Sequence, residues 1–251
     1  MNENGLNYID LFAGAGGLSE GFIQSGYRPV AHVEMNGYAA KTLETRIAYY
    51  YLKDNGELNS YYDYEKGKIT RTQLLEKIPE EELKTVINKE MSESTIKGIF
   101  NTIDEIKKEK GIENIDVIIG GPPCQAYSLV GRAQSSHMVV PMEDDPRNEL
   151  YKMYVQFLNK YKPRMFVFEN VAGIKSARGG QAFKNLQMYM KRVGYEICYD
   201  ELNAHDFGVL QSRKRVIIVG WLKGTGYDYP SFEVIHSNCL CCLFMDNRFN
   251  F

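Results

Sequence analysis

The chain has 251 residues, of which 44% are hydrophobic and 25% are charged. This length allows one α/β domain with a sizeable core or at most two small domains, and the composition excludes global disorder. No stretch approaches the ~20 consecutive apolar residues of a membrane span, and the N-terminus lacks the basic and apolar regions of a signal peptide. We therefore expect a cytoplasmic protein whose five cysteines stay reduced.

The net charge of −2 is distributed unevenly along the chain. Residues 1–145 carry a net charge of −8, whereas residues 146–225 carry +8. A basic segment on a nearly neutral chain can form a phosphate-binding face, but lysines that only solvate helices give the same pattern. The charge distribution alone therefore does not decide whether the chain binds nucleic acid.

The first fifty residues predict alternating strands and helices. An apolar run at Tyr8–Ala13 ends in a glycine-rich turn, and a helix is predicted over Leu18–Gln24. A second apolar run, Pro29–Glu34, ends in a carboxylate, and Asn36 is a suitable N-cap for the next helix. The order of strand, glycine turn, helix and strand predicts a parallel sheet with crossover helices.

Residues 48–113 interrupt this alternation. Six tyrosines fall between positions 49 and 64, and helix-like stretches follow at Arg71–Lys77 and Glu80–Lys89. We interpret the segment as a helical insertion. The tyrosines could contact protein or DNA, although ordinary packing explains them as well.

The alternation resumes after the insertion and fades near the end of the chain. Strands are predicted at Asp116–Ile119, Met165–Glu169, Glu196–Asn203 and Arg215–Trp221, and helices at Arg147–Tyr161 and Gly180–Val193. We expect one domain over residues 1–225 and an irregular tail over residues 226–251.

The turn Gly14-Ala15-Gly16-Gly17 indicates a nucleoside-binding site. Glycines let a ligand approach the backbone at the N-terminus of a helix. Glu34 lies at the end of the second strand, where a carboxylate can accept hydrogen bonds from both hydroxyls of a ribose. Ser19 stands where the dinucleotide fingerprint has its third glycine, so an adenosine-containing cofactor is favoured without specifying NAD. A glycine turn needed only for helix packing is the alternative.

A second motif, Gly120-Gly121-Pro122-Pro123-Cys124-Gln125, follows a buried strand. The prolines fix φ and stiffen the turn, which suits the aiming of a nucleophilic thiolate. Such a thiol needs local help to ionise, because an ordinary cysteine is mostly protonated at neutral pH. The alternative is an inert buried cysteine.

Two further motifs lie at the ends of predicted strands, one where a strand finishes and one where the last strand starts. Glu169 ends the strand at Met165–Glu169 and should lie near Cys124, where a carboxyl can act as an acid or hydrogen-bond partner. Strand alternation is predicted to place Gln211, Arg213 and Arg215 on one side of the last strand. A helix-capping carboxylate and an ordinary surface cluster are the respective alternatives.

Together these motifs resemble those of the DNA cytosine-5 methyltransferases. The matching segments are residues 10–17, residues 121–128, Glu169-Asn170-Val171 and residues 203–215, in the family's order. The resemblance covers about residues 7–221. It implies a Rossmann-like S-adenosylmethionine-dependent methyltransferase fold with a mostly parallel sheet and a helical insertion.

The resemblance also implies roles for individual residues. S-adenosylmethionine would be bound by Phe12, Gly14, Gly16, Glu34, Met35, Ile103, Pro123 and Leu150. Cytosine in double-stranded DNA would be attacked at carbon-6 by Cys124 and contacted by Glu169, with Arg213 and Arg215 assisting. Further DNA contacts are implied for Gln125, Ser128, Arg132 and Gln211. The implied enzyme is a DNA (cytosine-5-)-methyltransferase, here expected in a bacterial restriction–modification system.

The sequence departs from the family pattern in two places. The family usually has an aspartate that contacts the adenine amine, and alignment backward from Asp116 puts Thr102-Ile103 there. After Arg215 the family continues into a target-recognition region and further motifs, which the thirty residues after Trp221 do not match. The chain could therefore be a subunit that needs a complementary polypeptide, or one that binds the cofactor without turnover.

Other functions fit the motifs less well. An RNA cytosine methyltransferase of the same architecture is not favoured by any residue, and an amino-group methyltransferase would not place a thiol after Pro-Pro. We expect no metal site, because the spacing of Cys239, Cys241 and Cys242 is poor for zinc.

Overall fold

The computed structural model describes residues 5–123 and 150–232. In the first range the elements are β1 (Asn7–Leu11), α1 (Gly17–Gln24), β2 (Arg28–Val33), α2 (Gly37–Asp54), α3 (Leu58–Glu65), α4 (Arg71–Leu75), α5 (Glu80–Leu83), β3 (Val86–Ile87), α6 (Ile96–Glu109) and β4 (Val117–Gly120). In the second range they are α7 (Leu150–Tyr161), β5 (Met165–Val171), α8 (Gln181–Arg192), β6 (Tyr195–Asn203) and β7 (Lys214–Leu222). Short 3₁₀ turns lie at Ala172–Lys175, Ala177–Gly180 and Ala204–Phe207.

Within these residues, seven strands form one sheet in the order β3-β2-β1-β4-β5-β7-β6. The pairs from β3 across to β5 are parallel, and β7 runs antiparallel to both of its neighbours. The predicted α/β architecture with a mostly parallel sheet is confirmed. The two halves of the sheet diverge at β1 and β4, where the strand order changes direction.

Helices cover both faces of the sheet, as a buried parallel sheet requires. The larger core lies between the sheet and helices α6, α7 and α8, and it includes Ile99, Phe157, Phe166 and Leu186. On the other face, Leu18, Phe22 and Ile23 of α1 pack on a smaller cluster that includes Tyr8, Val117 and Ile119. The carboxyl ends of β1, β2, β4 and β5 are thereby presented at one edge.

The caps of the first two helices follow their sequences. Gly16, at φ 86°, precedes α1, and a residue with a Cβ rarely adopts this left-handed conformation. Asn36 precedes α2, and its side-chain oxygen accepts hydrogen bonds from Tyr38 N at 2.9 Å and Ala39 N at 3.1 Å. The predicted N-cap at Asn36 is confirmed.

The interpretation of residues 48–113 as a helical insertion needs correction. Helix α2 continues through this boundary to Asp54, β3 adds an edge strand beside β2, and α6 packs into the main core. The separate part is smaller: α3 to α5 pack on the end of α2 around Ala48, Leu52, Leu74 and Ile78. Most of the tyrosines of this segment line that small core or lie beside it.

Two local predictions are also corrected. The helix-like stretch at Glu80–Lys89 ends at Leu83, and β3 follows, because Thr85, Val86 and Ile87 pair along β2. Strand β7 begins at Lys214, so Gln211 and Arg213 precede it and do not share strand alternation with Arg215. In the described ranges, no helix is long and apolar enough to cross a membrane.

A buried ionisable pair, Asp10 and His32, lies at the junction of β1 and β2. The two residues are paired in register, and Asp10 Oδ2 lies 3.5 Å from His32 Nδ1. Neither atom has a hydrogen-bond partner within the described residues. Burial raises the pKa of the Asp10 carboxyl, and the facing imidazole of His32 lowers it by less.

This raised pKa predicts a pH-dependent stability. Folded Asp10 holds its proton more tightly than unfolded Asp10, so the carboxyl lowers the free energy of unfolding as pH rises from about 3.8 to the raised value. Asp10→Asn removes this pH-dependent loss of stability. We therefore expect the free energy of unfolding of the variant, minus that of wild type, to increase with pH over this window, as measured by urea unfolding. Asp63→Asn is the control, because a hydrogen bond from Lys68 lowers the pKa of Asp63. Its stability difference should decrease as pH rises towards about 3.8 and should not change with pH above that value. A difference for Asp10→Asn that does not change with pH contradicts the prediction.

Candidate active site

The turn after β1 and the end of β2 are joined by the carboxylate of Glu34. Phe12, Gly14 and Gly16 all have positive φ, at 57°, 55° and 86°. Glu34 Oε2 accepts a hydrogen bond from Gly14 N at 2.8 Å, and Oε1 accepts one from Asn36 N at 2.7 Å. Because each oxygen has a further lone pair, the carboxylate can still accept hydrogen bonds from a ligand.

Space for a ligand is left above the first turn. A Cβ added to Gly14 would meet no atom within 4 Å, so the turn is open on the side where that side chain would point. A Cβ on Gly120, in contrast, would lie 2.3 Å from Leu11 O, because β4 approaches β1 closely there. The crevice outside these two strands is a topological switch point, where open α/β sheets bind ligands.

The Pro-Pro turn after β4 is held by Asn170 of β5. The buried Asn170 side chain donates from Nδ2 to Pro122 O at 3.1 Å, and its Oδ1 accepts from Val171 N at 2.9 Å. Both ends of the amide are therefore used. Pro122 is buried and Pro123 is half-buried, so the chain leaves this turn towards position 124 from a fixed point.

Glu169 and Arg215 form an ion pair beside the same turn. Arg215 Nε lies 2.6 Å from Glu169 Oε1, and Arg215 Nη1 also donates to Lys214 O at 2.7 Å. β5 and β7 pair antiparallel, which brings the C-terminal part of β5 next to the start of β7. A Cβ on Gly121 would lie 2.7 Å from Glu169 Oε2, so the glycine permits the carboxylate to lie over the turn.

The other residues predicted near DNA lie outside the sheet core. Gln211 and Arg213 are exposed in the segment between the last 3₁₀ turn and β7. The backbone of Arg213 is fixed, because Arg213 N donates to Asn203 Oδ1 at 2.9 Å and Arg213 O accepts from Ala204 N at 3.0 Å. Cys124, Gln125, Ser128 and Arg132 lie outside the described residues.

Three residues predicted to contact the cofactor have different surroundings. Met35 follows Glu34 and is 61% exposed, and Leu150 is half-buried at the start of α7. Ile103 is in the middle of α6 and fully buried in the main core, so its assignment to the cofactor is corrected. Its side chain lies in the main core cluster and presents no surface to a ligand.

Asn88 is the site residue that the sequence prediction missed. It directly follows β3, and its Nδ2 donates to Glu34 O at 2.8 Å. β3 has only two residues, and it was hidden within a stretch of charged and helix-like sequence. The signal that was available is the β-branched run Thr85-Val86-Ile87, which favours a strand over a helix.

Comparison with known proteins places the chain in a family. A family model for C-5 cytosine-specific DNA methylases matches residues 6–70 and 77–239. The chain is 36% identical over 250 residues to the Type II methyltransferase M.Bpa9945I of Bacillus paralicheniformis, which covers 90% of this chain and 56% of the relative. It is 29% identical over 225 residues to the Type II methyltransferase M1.HphI of Haemophilus parahaemolyticus, covering 90% and 48%.

The fold has solved counterparts. An Entamoeba histolytica methyltransferase, EhMeth, matches 94% of this chain and 58% of its own with a TM-score of 0.55 at 20% identity. The architecture is thus the Rossmann-like fold of the S-adenosylmethionine-dependent methyltransferases. The chain belongs to the C-5 cytosine-specific DNA methylase family. It spans about half the length of the curated relatives it matches.

The contacts of Asn170 predict a stability loss on its removal. Asn170→Ala leaves Pro122 O and Val171 N without their side-chain partners, and an unsatisfied buried group costs about 1–3 kcal/mol. Urea unfolding should show a loss of that size. The control is Asn185→Ala, at a half-buried amide on α8 that accepts from the exposed Gln181, where a change within about 0.5 kcal/mol is expected. Equal effects for the two variants would contradict the buried role.

Proposed function

We propose that the chain transfers a methyl group from S-adenosylmethionine to carbon-5 of cytosine in double-stranded DNA, within a bacterial restriction–modification system. The observation that carries the proposal is that one sheet edge holds both the Gly14–Glu34 contact and the Glu169–Arg215 ion pair. The stiff turn that leads to Cys124 lies beside the ion pair. A nucleoside site and a base-activating site would then share one crevice.

The residues at the β1 and β2 ends fit the nucleoside part of this cofactor. Glu34 presents a carboxylate that is anchored by two backbone N–H groups and still has acceptor capacity for the ribose hydroxyls. The exposed Met35 could cover the adenine on one side, with Leu150 on the other. Asn88, in place of Ile103, is proposed to contact the adenine, because an exposed amide next to Glu34 can bond a polar group of that ring. When bound, S-adenosylmethionine supplies an electrophilic methyl group.

The remaining residues would act on the cytosine. The Cys124 thiolate would add to carbon-6, and Glu169 would pass a proton to the ring nitrogen that takes up the displaced electron pair. A Glu169 oxygen would also accept a hydrogen bond from the exocyclic amine. Arg215 already neutralises and orients Glu169 at 2.6 Å, so it holds that carboxylate over the turn. Carbon-5, made nucleophilic by the addition, takes the methyl group. Loss of the carbon-5 proton then expels the thiolate and restores the double bond.

The DNA would contact the basic segment of the domain, residues 146–225. Residues 146–225 carry a net charge of +8, and Gln211 and Arg213 are exposed next to the start of β7. Extruding a base from a duplex costs a few kcal/mol, and charge-assisted hydrogen bonds of about 1.5–3 kcal/mol each can offset this. Gln125, Ser128 and Arg132 are proposed as further DNA contacts.

A second candidate is a chain that binds the cofactor but needs a complementary polypeptide for turnover. The two candidates differ in whether the purified chain alone catalyses methyl transfer.

Transfer of a labelled methyl group from S-adenosylmethionine to mixed-sequence duplex DNA tests the proposal. Incorporation into cytosine by the purified chain supports it, and incorporation only after addition of a polypeptide that carries the remaining family motifs supports the second candidate. A chain that binds no S-adenosylmethionine contradicts both. Structured RNA serves as the comparison acceptor, and a preference for RNA would contradict the assignment to DNA.

The nucleophile assignment predicts that Cys124→Ser abolishes methyl transfer. A serine hydroxyl is far less ionised than a thiol at neutral pH, so addition to carbon-6 fails. Binding of S-adenosylmethionine, measured by calorimetry, should stay within about twofold of wild type because the sulfur acts on the base (a twofold change is only about 0.4 kcal/mol). Cys198→Ser, at an exposed cysteine on β6, is the matched control and should retain transfer. Retained transfer by Cys124→Ser would remove Cys124 from the mechanism.

The ribose assignment predicts weaker cofactor binding for Glu34→Gln. The amide loses one acceptor oxygen and the negative charge, and a lost charge-assisted hydrogen bond of about 1.5–3 kcal/mol corresponds to at least a tenfold rise in Kd. Calorimetric titration with S-adenosylmethionine measures the change. Glu105→Gln, on the exposed side of α6, should leave the Kd unchanged. An unchanged Kd for Glu34→Gln would contradict the assignment.

A further inference from the structure

Helices α1 and α2 are linked by a polar cluster centred on Glu20. Arg46 Nη2 pairs with Glu20 Oε2, and the Tyr50 hydroxyl donates to Glu20 Oε1. Gln24 Nε2 donates to the same Oε1 at 2.7 Å. Glu20 lies in the first turn of α1, so the link is made next to the N-terminus of that helix.

Arg46 also packs against the backbone of the glycine turn. A Cβ added to Gly16 would lie 3.1 Å from Arg46 Nε and 3.0 Å from Leu43 Cδ2. These distances mean that side chains of α2 fill the space next to Gly16, which immediately precedes α1. The guanidinium of Arg46 therefore contacts the turn on one side and Glu20 on the other.

The two helices begin at the two segments assigned to the cofactor. α1 begins directly after the turn of Gly14 and Gly16, and α2 begins directly after Glu34 and its neighbour Asn36. The segments are joined by the hydrogen bond from Gly14 N to Glu34 Oε2 at 2.8 Å. The Arg46–Glu20 pair links the helices that follow these two segments a second time, about one turn into α1 and about two and a half turns into α2.

From this arrangement we propose that Arg46 is a positioning residue for cofactor binding. It contacts no cofactor atom itself, and it acts by holding the Gly14–Gly16 turn at the distance from Glu34 that a bound nucleoside needs. The inference rests on the proposed function, because it takes S-adenosylmethionine as the ligand. Glu20 also accepts hydrogen bonds from the Tyr50 hydroxyl and the Gln24 amide, and these neutral donors cannot replace the cation of Arg46.

The chain offers a matched control on the same helix. Arg71 of α4 pairs with Glu44 of α2. The two side chains of this pair are each 30% exposed, compared with 32% and 31% for Arg46 and Glu20. Arg71 also donates to Lys41 O at 3.1 Å, so it anchors the small α3–α5 lobe and not the glycine turn. Loss of either pair removes a similar ionic contact from α2.

The test compares Arg46→Met with Arg71→Met in binding of S-adenosylmethionine by titration calorimetry. We expect Arg46→Met to raise the Kd about tenfold and Arg71→Met to change it less than twofold, with similar shifts of the thermal unfolding midpoint. Glu20→Gln should raise the Kd as well, and adding Arg46→Met to it should have a much smaller further effect. Arg46→Lys keeps the cation and should recover part of the lost affinity.

The outcomes separate this proposal from the function on which it rests. If wild type binds S-adenosylmethionine and Arg46→Met binds equally tightly, the positioning role is wrong and the proposed function stands. Equal losses of affinity in Arg46→Met and Arg71→Met overturn the role too, because they reflect general destabilisation of α2. If wild type does not bind S-adenosylmethionine, the proposed function fails and the inference fails with it. Should Arg46→Met not fold, Arg46→Lys and Glu20→Gln decide the question by the same Kd comparison.

Discussion

The close approach of β1 and β4 sets the geometry of the whole site. A Cβ on Gly120 would lie 2.3 Å from Leu11 O, so β4 can pair with β1 at this point only because residue 120 is a glycine. The same two strands are where the chain turns from one half of the sheet to the other. Their carboxyl ends therefore open one crevice, and the turns at residues 12–17 and 121–123 line it from two sides.

Both carboxylates at this edge are anchored before any ligand arrives. Glu34 is held by two backbone N–H groups, whereas Glu169 is held by the guanidinium of Arg215. The difference suits the proposed roles, because a ribose-binding group needs a fixed direction and a base-activating group needs a cation close by. Prearranged charges of this kind avoid reorganisation when the ligand binds.

The sequence predicted the central part of the sheet well because its signals are local. Apolar runs that end in glycine or a carboxylate marked β1, β2, β4 and β5, and the Asn36 cap marked the start of α2. β3 was missed because a two-residue edge strand has no periodicity. Ile103 was misassigned because the alignment backward from Asp116 ended within α6 and did not reach β3. The Glu169–Arg215 contact could be expected at one edge, but its distance depends on the antiparallel pairing of β5 and β7. Arg46 carried no signal, since its role depends on where two helices meet.

The antiparallel position of β7 has a consequence for the order of folding. β6 and β7 pair from Asn203 and Lys214 outward, so they close a loop of about ten residues, which takes on the order of 10–100 ns before the hairpin itself forms. β1 and β4 must instead meet across more than a hundred residues, as the hydrogen bond from Asn7 N to Asp116 Oδ2, 109 positions apart, illustrates. Contacts between distant residues have a high loop-closure entropy and form late. The crevice between β1 and β4 thus depends on the longest loop closure among the strand pairs of the described sheet, while the strand that carries Arg215 belongs to the shortest.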